Sequence, residues 1–227
     1  MALILVPAVA IADESDRFEP LFDGLTLAGW WGATERFEVT DGKIVAKPGG
    51  RGELYTDKTY GDFELCFDFR LAAGANSGIA LRATGTGDPA YTGIECQILD
   101  NTAEKYASLQ PYQYHGSLYG IAPAKQGRLR PPGAWNTQAI SCRGRLVRVV
   151  LNDAVILEVD LDEVASGGLT LDGKPHPGLL RQSGHIGLLA HTGRVEFRNL
   201  RIRPLLASSR GEHQLRETPR ATVGDTE

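Results

Sequence analysis

Alternating apolar and polar positions along most of the chain predict antiparallel β-strands. The clearest case is DFELCFDFRL at residues 62–71, where alternation puts the aromatic and leucine side chains on one face and the charged side chains with Cys66 on the other. Similar shorter patterns cover residues 36–47 and 145–160. Asp41-Gly42 and Asn152-Asp153 interrupt them as tight hairpin turns, so we expect antiparallel pairing there.

Further strand-like segments follow, and each is bounded by Gly or Pro residues that are typical of turns. They span residues 77–82, 92–97, 135–142, 185–191 and 194–203. No strong helical period and no repeat of fixed length accompanies them. Many short strands without intervening helices predict an all-β fold, and their number fits a two-sheet antiparallel jelly-roll sandwich.

The length of 227 residues suits one β-sandwich domain, which we place at residues 18–204. Residues 1–12, MALILVPAVAIA, are apolar and end in alanines with signal-peptidase spacing, although no basic residue precedes them. They predict a secreted or periplasmic protein, and they are too short for a membrane span; the alternative is an apolar first strand. Residues 206–227 are polar and unpatterned, which predicts a disordered tail.

Charge and cysteine usage narrow the range of functions. The formal net charge of −4 disfavours nucleic-acid binding, because phosphate backbones are bound by concentrated Lys and Arg. Cys66, Cys96 and Cys142 are far apart and show no zinc-ligand spacing. We interpret them as buried free thiols, with one disulfide as the alternative in an oxidising compartment.

A long segment rich in tyrosine, Gly and Pro, residues 101–132, predicts a functional loop. Tyrosine rings stack on sugar rings while their hydroxyls form hydrogen bonds, so the loop favours a carbohydrate site. The alternative is that these tyrosines only fix the loop. The tyrosines and the histidine of this loop are Tyr106, Tyr112, Tyr114, His115 and Tyr119.

Three predicted strands combine ionisable groups with small residues on the face opposite the core. In TGIECQIL this face carries Glu95 and Gln97; in SGIALR it carries Gly78, Ala80 and Arg82; in HIGLLAH it carries His185, Gly187 and His191. Small residues leave room for a ligand to approach. Solvated polar groups on an ordinary outer face are the alternative, because the pattern does not show whether the strands share a sheet.

Seven short phrases, in this order, resemble the 3-keto-disaccharide hydrolase domain family, long regarded as a domain of unknown function. They are LFDGLTLAGW (21–30), YGDFELCFDFRL (60–71), NSGIALR (76–82), GIECQILD (93–100), GSLYG (116–120), PPGAWNT (131–137) and VEFRNLRI (195–202).

The resemblance implies a concanavalin A-like jelly roll of the lectin and glucanase type, exported by bacteria and acting on glycosides oxidised at carbon 3. A sugar 3-oxidase is then expected as the functional partner that supplies the substrate. Family members tend to carry an acidic residue before the last His-Gly, whereas this chain has Ala190, His191, Thr192 and Gly193 there. His191 is therefore the titratable group of this segment.

A conventional glycosidase needs two carboxylates that flank the bond, and the related laminarinase-type enzymes place them at alternate positions of one strand. Here those positions hold Glu95, Gln97 and Leu99, so one acid is present. A ketone at carbon 3 changes the requirement, because it acidifies the hydrogen at carbon 2. The aglycone can then leave carbon 1 by β-elimination before water adds, and one base suffices.

We therefore expect catalytic roles for Glu95 as base and for Arg82 or Gln97 in polarising the ketone. His191 or Tyr119 would assist the leaving group. The candidates for substrate binding are Asn76, Gln97, His115, Tyr119 and Trp135. His115 is also an alternative candidate for a catalytic role.

No cofactor is identified from the sequence, and the metal requirement stays open, because a divalent cation could polarise the ketone without a compact ligand motif. A lectin-like module that binds sugar without cleaving it is the main alternative. A structural surface domain without a ligand is another.

Overall fold

Two antiparallel β-sheets pack against each other in the described residues, 17–167 and 170–205 of the computed structural model. The strands in chain order are β1 (Glu19–Pro20), β2 (Trp30–Gly32), β3 (Phe37–Thr40), β4 (Lys43–Ala46), β5 (Gly52–Tyr60), β6 (Phe63–Leu71), β7 (Asn76–Ala83), β8 (Ile94–Leu99), β9 (Trp135–Arg143), β10 (Leu146–Leu151), β11 (Ala154–Asp160), β12 (Gly184–Thr192) and β13 (Val195–Pro204). Two short helices, α1 (Pro89–Thr92) and α2 (Leu161–Ser166), lie between strands.

The larger sheet has eight strands, in the order β11-β10-β9-β6-β13-β4-β3 with β1 paired to β13. The smaller sheet has five, in the order β2-β5-β12-β7-β8. Side chains from the facing sides of both sheets form the main apolar core, which confirms the predicted all-β jelly-roll sandwich. The predicted signal-like segment at residues 1–12 and the predicted tail at 206–227 lie outside the described residues.

The period-two pattern of residues 62–71 is confirmed by burial. Phe63, Leu65, Phe67 and Phe69 of β6 have no exposed surface, and all lie in the core between the sheets. Both predicted hairpin turns are present, with positive φ at Asp41 (48°) and at Asn152 (47°), as a tight turn between two strands requires. Burial of one face therefore fixes the register of these strands.

Strand β5 was not predicted from the sequence because side chains on both of its faces are buried. Leu54, Tyr55 and Thr56 are consecutive and all buried, so no alternation marks this segment. The helix α1 is also too short to show a helical period. It begins at the N-cap Asp88, whose Oδ1 accepts a hydrogen bond from Ala90 N at 3.1 Å, with Pro89 at the first helical position.

Residues 101–132 contain no strand and only two short 3-10 helices, Glu104–Tyr106 and Pro111–Gln113. The three cysteines are buried and unpaired, as interpreted from their spacing. None of the helices in the described ranges has the length and apolar character of a membrane span.

The prediction that Arg82 shares the outer face with Gly78 and Ala80 is wrong. The pairing of β12 with β7 shifts from Gly187–Ala80 to His185–Ala83, so β7 carries one extra residue, a β-bulge, where Arg82 adopts a positive φ of 49°. The bulge breaks the alternation on which the prediction rested. The side chain turns inward and is fully buried.

The buried Arg82 guanidinium connects turns at one end of the sandwich. It donates to Gly61 O (2.9 Å) and Gly144 O (2.9 Å), and it pairs with Asp62 Oδ1 at 3.1 Å. Asp62 Oδ1 also accepts from Gly144 N at 2.9 Å. Because a buried cation without its anion is strongly disfavoured, Asp62 is required for this cluster to stay folded.

We expect Asp62→Ala to lower the free energy of unfolding by about 3–5 kcal/mol, because Arg82 is left as an unpaired buried charge. In a domain of this size each kcal/mol lowers Tm by about 2–4 °C, which thermal denaturation measures directly. Glu158→Ala is the control, since its ion pair with Arg148 (3.5 Å) is half exposed and contributes within about 1 kcal/mol. Equal Tm losses in the two variants would contradict this role of Asp62.

Candidate functional site

The strands β12, β7 and β8 are neighbours in the smaller sheet, so the outer-face residues of the three predicted strands share one surface. Cross-strand pairing aligns Gly187 with Ala80 and Ala80 with Glu95. The next row aligns Gly78 with Gln97. Period-two geometry and this register therefore bring Glu95 and Gln97 to the same side of the sheet as the small residues.

A pocket of about 300 Å³ lies on this surface. Its lining contains five of the residues expected from the sequence on these strands and the long loop, together with five residues from other segments. The lining residues are Arg51, Asn76, Asp88, Ala90, Tyr91, Glu95, Gln97, Tyr119, Lys174 and His191.

Glu95 lies at the base of this pocket and is 4% exposed. A Cβ at Gly78 would overlap its carboxyl oxygen and would lie 2.9 Å from Leu189 Cδ1, so the glycine makes space for the Glu95 side chain rather than for a ligand. Gly187 similarly makes space for the Tyr55 ring. Within the described residues, no group hydrogen-bonds to the Glu95 carboxyl.

Burial raises the pKa of Glu95 from 4.5 to about 8. The nearby Asp88 and Glu53 carboxylates raise this pKa further, and the Arg51 guanidinium opposes them in part. A carboxyl with this pKa exchanges its proton near neutral pH, which suits a general base or acid.

Gln97 and Asn76 form an amide pair beside Glu95. Gln97 Nε2 donates to Asn76 Oδ1 at 2.8 Å, and the buried Gln97 Oε1 has no partner within the described part of the chain. Gln97 Oε1 is therefore an unpaired acceptor on a side chain that lines the pocket. Because polarising a ketone requires a donor, this arrangement does not support the predicted role of Gln97 at the ketone.

His191 also lines the pocket, and burial, with Arg51 nearby, lowers its pKa to about 4 despite the opposing Asp88 charge. The imidazole is therefore neutral at neutral pH, and it acts there as a polar group rather than as a cation.

Tyr119 reaches the pocket because the long loop pairs with β8. Tyr119 N donates to Glu95 O at 2.9 Å, and Gln97 N donates to Ser117 O at 2.9 Å. The Tyr119 hydroxyl accepts a hydrogen bond from Gln113 Nε2 at 3.1 Å, so its own proton is available to a ligand. Burial raises its pKa, which keeps the hydroxyl protonated.

Five pocket residues were missed by sequence reasoning: Arg51, Asp88, Ala90, Tyr91 and Lys174. The Asp88-Pro89 pair is a helix N-cap signature that could have located α1, and hence Asp88 and Tyr91. Arg51 and Lys174 come from distant loops, and no local pattern marks either as a site residue.

Lys174 is held at the pocket by its own bond to Tyr91 and by the bonds of the nearby His176. Lys174 Nζ donates to the Tyr91 hydroxyl at 3.0 Å, and this bond raises the lysine pKa. His176 bonds through Nδ1 to Ala90 O (3.1 Å) and through Nε2 to Asp172 Oδ1 (3.1 Å), which ties the segment around Lys174 to α1. Lys174 also lines a second, more apolar cavity of about 490 Å³.

Three predicted site residues lie away from the pocket. Arg82 is held in its buried cluster. His115 lies in the core, where its ring stacks on Phe69 at 5.1 Å between centroids and burial lowers its pKa to about 4. Trp135 lies on the outer face of the larger sheet, with the Arg198 guanidinium 3.9 Å from its ring centre. The structure therefore contradicts their placement at a shared sugar site.

Metal ligands are not grouped in the part of the chain that the structure describes. No cluster there contains three or more His, Cys, Asp or Glu side chains that could hold an ion.

The chain is similar to proteins with a glycoside-hydrolase-type role. The 3-keto-disaccharide hydrolase of Bacteroides thetaiotaomicron is 28% identical over 231 residues, covering 85% of this chain and 80% of that protein. A candidate glycosyl hydrolase of Parabacteroides distasonis, known from its crystal structure, is 34% identical with a TM-score of 0.74, covering 84% of this chain and 100% of that chain.

A Bacillus subtilis protein with a galectin-like fold, 12% identical with a TM-score of 0.55, shares the fold alone; the match covers 85% of this chain and 96% of that chain. The Bacteroides thetaiotaomicron and Parabacteroides distasonis proteins support a glycoside-hydrolase-type role for this chain. The model of the 3-keto-alpha-glucoside-1,2-lyase-like domain matches residues 17–203, so the resemblance found in the sequence is confirmed and the chain belongs to this family.

Proposed function

We propose that the protein cleaves 3-keto-glycosides by base-assisted β-elimination followed by hydration, with Glu95 as the base. The observation that carries this proposal is a single buried carboxyl without a hydrogen-bond partner in the described structure, at the base of a polar pocket. The family description, which names a 1,2-lyase acting on 3-keto-α-glucosides, supports the same chemistry.

The reaction needs one group that takes and returns a proton. Glu95 removes the hydrogen at carbon 2, and the electrons of that bond form the double bond between carbons 1 and 2. The bond from carbon 1 to the aglycone oxygen breaks, and this oxygen takes a proton from a donor in the pocket. Water then adds to the double bond: its hydroxyl bonds to carbon 1, its remaining proton returns to the group that protonated the aglycone, and Glu95 returns its proton to carbon 2.

Asp88 is the other carboxyl that lines the pocket, but its oxygens are already bound. Oδ1 accepts from Ala90 N at 3.1 Å, and Oδ2 lies 3.8 Å from Arg51 Nη2. These contacts tie Asp88 to the start of α1. A mechanism with two free carboxylates at the sugar is therefore less well supported than one with Glu95 alone.

Negative charge develops on the ketone oxygen when the carbon 2 proton leaves. We assign its stabilisation to Arg51 and to the Asn76 amide nitrogen, which replace the expected Arg82 and Gln97. Tyr119 keeps its predicted role as proton donor to the leaving group, since its hydroxyl proton is free. His191 is neutral and serves as a further hydrogen-bonding group of the pocket.

The aglycone would extend from carbon 1 toward Lys174, which borders both the pocket and the cavity of about 490 Å³. Export of the protein and a partner sugar 3-oxidase remain predictions from the sequence. No cofactor is part of the proposed reaction.

Substitution of Glu95 tests its role as the base. With 4-nitrophenyl 3-keto-α-glucoside, we expect Glu95→Gln to lower kcat about 10²–10⁴-fold, the usual contribution of a general base. Release of 4-nitrophenolate measures the rate, and deuterium at carbon 2 of the substrate should slow this release, because Glu95 breaks that carbon–hydrogen bond. Glu53→Gln is the control, because Glu53 influences Glu95 electrostatically without lining the pocket.

Near-normal turnover by Glu95→Gln would exclude Glu95 as the base. Binding of the 3-keto-glycoside without any cleavage by the unmodified protein would instead favour the lectin-like alternative.

The pH dependence of catalysis follows from the raised pKa of Glu95. A base acts in its deprotonated form, so kcat/KM should rise with pH and level off above about 8. Initial rates between pH 5 and pH 10 measure this profile. A kcat/KM that falls as pH rises through 8 would show that Glu95 acts as an acid.

The raised pKa of Glu95 also predicts how its effect on Tm depends on pH. Because the folded-state pKa of Glu95 is raised to about 8, its favourable contribution is complete below pH 4.5 and is lost as pH rises through 8. Glu95→Gln should therefore raise Tm by a few degrees more at pH 9 than at pH 5, measured by thermal denaturation.

Glu196→Gln provides the control of opposite sign. Burial raises the pKa of Glu196, but bonds from Arg70 and Arg194 outweigh burial and leave it lowered. Its contribution is then present above pH 4.5, so Glu196→Gln should lower Tm similarly at pH 5 and pH 9. If the Glu95→Gln effect were independent of pH, the buried carboxyl would not have the raised pKa.

A further inference from the structure

Gln97 has one feature that the proposed reaction does not use. Its side chain is 4% exposed, yet Oε1 has no hydrogen-bond partner within residues 17–167 and 170–205. A buried acceptor without a partner is costly, and native proteins seldom keep one without a reason. Because Gln97 lines the pocket, a ligand can provide the missing donor.

The amide of Asn76 sets which end of Gln97 faces the pocket. Gln97 Nε2 donates to Asn76 Oδ1 at 2.8 Å. If Gln97 alone turned over, two amide oxygens would face each other and this bond would be lost. In this orientation of the pair, Gln97 offers an acceptor, and a substrate ketone, which is also an acceptor, would form no hydrogen bond there.

The spacing along β8 relates this acceptor to the reacting carbon. Glu95 and Gln97 are two residues apart on one face of the strand, which separates their Cα atoms by about 6.7 Å. Their side chains are of equal length. With carbon 2 of the sugar at Glu95, the hydroxyl on the far side of the ketone, at carbon 4, then lies toward Gln97.

We propose that Gln97 Oε1 accepts a hydrogen bond from the 4-hydroxyl of the oxidised sugar and restricts the enzyme to 3-keto-glycosides in which this hydroxyl is free. This inference rests on the proposed function and deepens it. A sugar substituted at oxygen 4 has no proton to donate there. The substrate class is therefore glycosides whose oxidised sugar is a terminal unit, unsubstituted at carbon 4.

The test measures binding in a Glu95→Gln background, so that turnover does not interfere. Titration calorimetry would use methyl 3-keto-α-glucoside and its 4-deoxy and 2-deoxy analogues. We expect loss of the 4-hydroxyl to weaken binding about 10–100-fold, because Gln97 Oε1 is again left without a partner. Loss of the 2-hydroxyl should have a smaller effect.

Gln97→Leu, added to the same background, should weaken binding of the intact sugar by a similar factor and remove the preference over the 4-deoxy analogue. Asn76→Asp is the matched control, since its carboxylate still accepts from Gln97 Nε2 and keeps the amide orientation. We expect Asn76→Asp to weaken binding of all the 3-keto sugars, because it removes the amide nitrogen assigned to the ketone, but to retain the preference for the 4-hydroxyl; Asn76→Leu should reduce that preference.

A 4-deoxy analogue that binds as tightly as the intact sugar, or a preference that survives Gln97→Leu, would overturn the proposal. So would a larger loss with the 2-deoxy analogue. These outcomes are separate from failure of the proposed function, which would appear as 3-keto-glycosides that bind normally to the unmodified protein and are not cleaved.

Discussion

Antiparallel pairing sends each side chain of a strand to one of two faces, and this constraint determines both the core and the pocket. On β8, Ile94, Cys96 and Ile98 face the opposite sheet, so Glu95 and Gln97 must face the other way. Pairing with β7 and β12 then places Gly78 beneath the Glu95 side chain. A shift of one residue in β8 would exchange the carboxyl for a core side chain, so burial of the core also fixes the position of the Glu95 carboxyl.

The same rule explains how much could be predicted from the sequence. Most strands, both hairpin turns and the face that carries Glu95 follow from period-two alternation, because one buried face leaves a clear pattern. The rule failed at Arg82, where one extra residue in β7 reverses the side chain. Nothing in SGIALR marks that bulge, since it arises from pairing with β12.

Pocket residues outside the strands were harder to predict for another reason. Arg51 and Lys174 reach the pocket through the tertiary fold, and their loops have no pattern tied to β8. His115 shows the opposite error, because a histidine among tyrosines was interpreted as a ligand group. It instead fills a polar position in the core, where Leu99 N donates to its Nδ1 at 3.4 Å and Gln138 Oε1 lies 3.0 Å from its Nε2.

The long loop covers part of the edge of β8. β8 is the last strand of its sheet, so its backbone would otherwise be an open edge where another chain could add a strand. Ser117 O and Tyr119 N satisfy part of that edge. The segment that shapes the pocket thus also protects against aggregation, and a shorter loop that admits larger substrates would expose an edge prone to intermolecular pairing.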